Sequence, residues 1–127
     1  MKYPLFLAVL MTLLYGCASR PLYMDTGKPG QIQAIVFYDD NKNGVMDNGE
    51  SGAQSQVSIS QEISCPPSST PAWMDTDAAG IYTFQDLKPG KYCVFSRGGL
   101  SFTTTLTEDV YVSSDQIVTV SFGVLRP

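Results

Sequence analysis

QIQAIVFYDDNKNGVMDNGESGAQSQVSISQ, residues 31–61, decides the fold. Its central twelve residues, Asp39 to Glu50, satisfy the loop pattern D-x-[DN]-x-[DN]-G-x5-E at every specified position. Asp39, Asn41 and Asn43 stand at positions 1, 3 and 5, and Gly44 at position 6, where the chain must turn sharply. Val45 offers its backbone carbonyl at position 7, Asp47 stands at position 9, and Glu50 closes the loop at position 12 as a bidentate carboxylate. The chain's three asparagines, Asn41, Asn43 and Asn48, all fall inside this stretch. Calcium takes six to eight hard oxygen ligands, and one short turn here holds enough of them. The bland alternative is a polar Asn/Gly turn that binds nothing.

The flanks decide what kind of loop this is. A calcium switch of the helix–loop–helix type needs an amphipathic helix on each side. Gln31 to Tyr38 is instead rich in β-branched and aromatic residues, and reads as a strand. Gln56 to Gln61 alternates Val57 and Ile59 with polar residues, the pattern of a half-buried strand. The loop therefore joins two strands, and calcium bound there is expected to clamp a structure rather than expose a target groove.

Downstream, Gly80 to Phe84, Lys91 to Phe95, Leu100 to Thr107 and Ile117 to Val124 all show strand character, and the period is two in the last two. Pro89-Gly90 and Gly98-Gly99 punctuate them. No stretch beyond the leader shows the 3.6-residue period of a core helix. About seven short strands predict an all-β, antiparallel sandwich of immunoglobulin-like type. Asp75, Asp77 and Asp86 lie beside turn residues and read as turn formers, Asp77 by bonding its own turn backbone.

Residues 1–17, MKYPLFLAVLMTLLYGC, carry Lys2 and then an apolar run shorter than the ~20 residues of a membrane-spanning helix. Leu14-Tyr15-Gly16-Cys17 resembles the lipobox of bacterial lipoproteins. That resemblance implies a signal peptide over 1–16 and lipid on Cys17, with onward sorting to the outer membrane if the cell is Gram-negative. Residues 17–30 read as a tether with two prolines, and residues 31–127 as one small domain.

The formal net charge is −4, with no basic run and no histidine. Nucleic-acid binding and zinc binding have no support, and no nucleophile has a histidine base. An exported setting favours pairing of Cys65 with Cys93. Cys93 has opposite parity to Tyr92 and Val94, so with those two in the core it faces outward, where a crossing loop can meet it. Two unpaired thiols is the other reading. The lone tryptophan, Trp73, is either a buried packing residue or the centre of an aromatic ligand platform, for instance for a sugar ring.

The runs VFYDDNKNGVMDNGESGAQSQVSI and TDAAGIYTFQDLKPGKYCVF, followed by SFGV, resemble the SdrD B-like domain, the B-type repeat of serine-aspartate repeat adhesins. The resemblance covers about Gln31 to Val124. It implies an immunoglobulin-like or prealbumin-like sandwich, structural calcium and a spacer or adhesive role in surface proteins. Carried over by position, Asp39, Asn41, Asn43, the Val45 carbonyl, Asp47 and Glu50 are the ligands, and Tyr82, Phe84, Leu87, Tyr92 and Val94 are core. The expected partners are the membrane, through Cys17, and another envelope or surface protein.

Overall fold

The computed structural model describes residues 27–69 and 71–127. The expected signal peptide (1–16), Cys17 and the tether as far as residue 26 lie outside the described residues. Within them, seven strands and no helix form a two-sheet sandwich: β1 (Gly30–Tyr38), β2 (Gln56–Ser60), β3 (Met74–Asp75), β4 (Ile81–Leu87), β5 (Gly90–Ser96), β6 (Thr107–Val112) and β7 (Ile117–Val124). One sheet has the order β4-β1-β7, and the other β3-β2-β5-β6.

The pleat sorts the side chains. Ile32, Ala34 and Val36 of β1 and Val120, Phe122 and Val124 of β7 alternate into the space between the sheets. Val57 of β2 and Tyr92 and Val94 of β5 meet them from the other side. Phe84 joins the same cluster, with Tyr82 and Leu87 packed against it, so the five expected core positions all serve it. Tyr92 spans the turn between β4 and β5, and its hydroxyl donates to the Lys88 carbonyl at 2.8 Å. Burial raises its pKa.

Four pairings are antiparallel as expected. The fifth is not: β1 and β7 run parallel from Gln31 opposite Ile117 to Tyr38 opposite Val124. Parallel neighbours need a long crossover. The chain supplies one by laying down the whole second sheet, with β4 of the first, between the two strands.

Leu100 to Thr107 also departs from expectation. Apart from one bridge, Phe102 to Val124, it is irregular until β6 begins at Thr107. Its polar positions are mostly threonines, and the hydroxyls of Thr104 and Thr105 bond to nearby backbone instead of leaving the ladder intact. Thr104 Oγ1 donates to the Thr105 carbonyl and accepts from the Gly123 amide, and Thr105 Oγ1 donates to the Thr107 carbonyl. The segment crosses the end of β7, through Thr103 N–H to the Gly123 carbonyl (2.9 Å) and Leu125 N–H to the Ser101 carbonyl (2.8 Å).

The turn reading of Asp77 holds, since its Oδ1 accepts from the amides of Ala79 and Ile81, both at 2.9 Å. The chain leaves the first sheet at Tyr38 and enters the second at Gln56. The Asp39–Glu50 loop is therefore part of a crossover between sheets, at the end of the sandwich that the 101–104 segment also caps.

Candidate metal centre

Asp39 is the pivot of the loop. Its amide continues the β1 ladder onto the Val124 carbonyl at 2.9 Å, which turns the side chain inward, and the residue is fully buried. Oδ1 accepts from the Asn43 amide at 3.1 Å, and Oδ2 from the Gly44 amide at 2.9 Å. Burial pushes the pKa of this carboxyl up. The neighbouring Thr103 hydroxyl and the amides of Gly44, Asn43 and Lys42 outweigh that, and hold it below the ordinary value. The hydroxyl acts here by proximity, because it falls short of hydrogen-bond geometry and Thr103 Oγ1 is a buried atom without a partner.

The remaining loop positions fold around one another. Asn41 Nδ2 and Asn43 Nδ2 both donate to Asp47 Oδ2, at 2.7 and 2.6 Å. Asn43 Oδ1 accepts from the Val45 amide at 2.8 Å. Glu50 ties the loop's entry to its exit, with Oε1 accepting from the Asp40 amide and Oε2 from the Asp47 amide, each at 2.9 Å. The turn needs left-handed backbone at Gly44 (φ 76°), where glycine carries no steric penalty. Val45 and Met46 stand exposed at the tip.

The structure thus brings the side chains of positions 3, 5 and 9 together, and leaves those of 1 and 12 bonded to backbone amides. Among the described residues, Asp39, Asp47 and Glu50 do not form a group with oxygens all within 4.8 Å. Cys65, Cys93 and Asp109 do, but the two sulfurs are bonded to each other.

The donor set suits a hard cation. One oxygen each from Asp39, Asn41, Asn43, the Val45 carbonyl and Asp47, with two from Glu50, makes seven, inside calcium's range of six to eight. The orphaned Thr103 hydroxyl beside Asp39 points the same way. A Cβ added at Gly123 would stand 2.4 Å from Thr103 Oγ1 and 3.2 Å from Asp39 Oδ2, so both groups use space that only glycine leaves free. Three residues that sequence reasoning missed therefore frame the loop. Gly123 carried a signal, since an isolated glycine inside a strand pattern suggests close backbone approach. Thr103 carried none. Arg126 carried none either: it pairs with Asp40 through two bonds (2.8 and 3.2 Å), donates to Ser51 Oγ, and lies 4.5 Å from the Tyr38 ring centre. Its pKa is raised by the Asp40 hydrogen bonds.

On the outer face of the second sheet, Cys65 and Cys93 form a disulfide, with Cα atoms 5.5 Å apart. Cys93 faces away from the core as its parity required, yet the overlying loop leaves it 1% exposed. Glu62 organises that loop by accepting from the hydroxyls of Ser69 and Ser68 and the Ser68 amide. The Ser69 hydroxyl leads in holding its carboxyl below the ordinary value. Trp73 is half-buried at the loop's end, edge-on to Phe95 with ring centres 5.4 Å apart, in a cleft of about 490 Å³ walled by Pro66, Pro67, Pro71 and Leu106. The Arg97 guanidinium lies 5.8 Å from its ring centre and bonds to Gln56, which bonds in turn to Asp75. The indole is thus partly used in packing, and a planar ligand must share it with Arg97.

Comparison with known proteins bears on the whole domain. The SdrD B-like domain matches residues 30–121. Colossin-A of Dictyostelium discoideum is 43% identical over 63 residues, half of this chain, which spans 1% of that protein's length. Among solved structures, a minor pilin of the Gram-positive pathogen Streptococcus agalactiae superposes with a TM-score of 0.52 at 15% identity, over 79% of this chain and 45% of that one. The TIE protein of Bacillus anthracis superposes with a TM-score of 0.50 at 11% identity, over 76% of this chain and 17% of that one. At such identities the two structures speak for the fold alone. The family match covers most of the chain, and the chain belongs to the SdrD B-like domain family.

Proposed function

We propose that this protein is a non-catalytic, calcium-stabilised β-sandwich module of the cell envelope, held to a membrane by lipid on Cys17, and serving as a structural or adhesive element that contacts another envelope or surface protein. One observation carries the calcium part: a complete oxygen-ligand pattern occupies the crossover between the two sheets, with its first carboxylate buried against β7. Bound there, the cation neutralises three carboxylates and ties the sheets' connection shut. It favours the folded state by mass action, by roughly 2.7 kcal/mol at ~100-fold above Kd.

Thermal unfolding of the full chain in detergent, with EGTA and with millimolar calcium, tests this beside Asp39→Ala/Glu50→Ala. The melting temperature rises with calcium in the wild type and not in the variant. Equal melting in all samples would leave the loop as a turn only. The anchor is checked by intact mass of the membrane-extracted protein. A diacylglyceryl-sized increment, lost in Cys17→Ser, is expected, and an unmodified Cys17 removes the lipid anchor from the proposal.

A further inference from the structure

We propose that Thr103, which lies outside the loop on the segment joining β5 to β6, is a positioning residue of the cation site and holds the Asp39 carboxylate for the ion. The inference rests on the calcium reading of the loop.

The Thr103 hydroxyl is buried and has no hydrogen-bond partner. A buried hydroxyl left unpaired is costly, and such a group in a folded protein calls for an explanation. Thr103 is placed there by main-chain bonds, not by chance rotation. Its amide donates to the Gly123 carbonyl at 2.9 Å, and the next residue's hydroxyl accepts from the Gly123 amide at 3.1 Å. The segment is thereby clipped to both polar groups of Gly123. Loop position 6 rests on the same segment, since a Cβ at Gly44 would stand 3.6 Å from Thr104 Cγ2. At Gly123 the missing Cβ opens a small hollow bordered by Thr103 Oγ1 and Asp39 Oδ2.

The two Asp39 oxygens are bonded to loop amides. When a cation recruits that carboxylate, a donor from outside the loop can steady it, and the Thr103 hydroxyl is the group already at hand. A threonine hydroxyl can donate to a carboxylate while its own oxygen lone pairs stay available.

The test is calorimetric titration of calcium into the full chain in detergent, for wild type, Thr103→Val and Thr103→Ser, with melting temperatures of all three in EGTA. Thr103→Val keeps the shape and removes the hydroxyl. It is expected to weaken calcium binding about tenfold, which is about 1.4 kcal/mol. Thr103→Ser restores the hydroxyl and is expected to bind within about twofold of wild type, a small fraction of that energy. In EGTA, Thr103→Val should lose less melting temperature than it loses in calcium, because there the hydroxyl has no hydrogen-bond partner and only steadies the Asp39 charge by proximity. Unchanged affinity in Thr103→Val overturns the inference. So does equal weakening in Thr103→Ser, or an EGTA melting temperature of Thr103→Val that falls as far as its calcium-loaded one, since either marks a packing role. Absence of binding by the wild-type chain is a separate result, and it removes the calcium reading together with this inference.

Discussion

At the scale of single residues, the site divides into what a contiguous pattern encodes and what only the fold brings together. The turn that holds Asp39, Asn41, Asn43, Val45, Asp47 and Glu50, the proposed ligands, was legible because its geometry depends on spacing within one stretch. Gly123 and Thr103 join Asp39 only because β7 lies beside β1 and the 101–104 segment crosses its end, an arrangement with no local trace. Gly123 gives the sharpest prediction at this scale. A methyl group there must displace Thr103 Oγ1, now 2.4 Å away, and crowd Asp39, whose Cβ would be 3.1 Å away. The Gly123→Ala variant is therefore expected to lose about 1–3 kcal/mol, the range for overpacking in a tight interior. Urea unfolding in EGTA measures the loss, and a midpoint equal to wild type would mean the hollow is softer than its neighbours suggest. Arg126, by contrast, contributes modestly despite its many contacts. Both it and Asp40 are about half exposed, and such pairs are worth ~0–1 kcal/mol.

Elements were legible where Val, Ile, Phe and Tyr carried the strand signal, by composition in β1 and β5 and by alternation in β7. They were misread where threonine carried it. Leu100 to Thr107 has the strand period, but hydroxyls that bond their own backbone dissolve the ladder, and the neighbouring TEDVYV of β6 escaped notice because Glu108 and Asp109 interrupt its apolar pattern. The cysteine pair shows parity succeeding without any motif. Knowing only that Tyr92 and Val94 point inward was enough to put Cys93 under a crossing loop. That loop has little core of its own. It rests on Trp73 against Phe95 and on the disulfide, which closes a span of 28 residues. Reduction of the bridge, or Cys65→Ser/Cys93→Ser, should cost ~3–4 kcal/mol by the chain-entropy estimate. Trp73 emission should shift to the red as the loop lifts, while calcium still raises the melting temperature, since the two features sit on different parts of the sandwich. An unshifted emission after complete reduction would show that Phe95 and Arg97 hold the indole without the bridge.

For the whole molecule, the parallel β1–β7 pair is the organising fact. It makes the first sheet a closure between the first and last of the described strands, and the loop that leaves it at the buried Asp39 carries the chain out to solvent. Asp39 continues the ladder onto Val124, Thr103 and Leu125 bond across the same end of β7, and Arg126 reaches back to Asp40. On the calcium proposal, the ion's territory is the loop, the 101–104 segment and the residues after β7. The second sheet is held independently by β2–β5–β6 pairing and by the disulfide. Hydrogen exchange of the full chain reads this division directly, because local opening has its own free energy, separate from global unfolding. With calcium, the amides of Asn43, Gly44, Asp47, Thr103 and Leu125 should slow by about tenfold or more, the factor that ~1.4 kcal/mol of local stabilisation gives. Those of Val57 and Val94 should change only as far as global stability changes. A uniform slowing across both sheets would instead mean that the ion acts on the sandwich as one cooperative unit, and that the crossover is no more independent than the core beneath it.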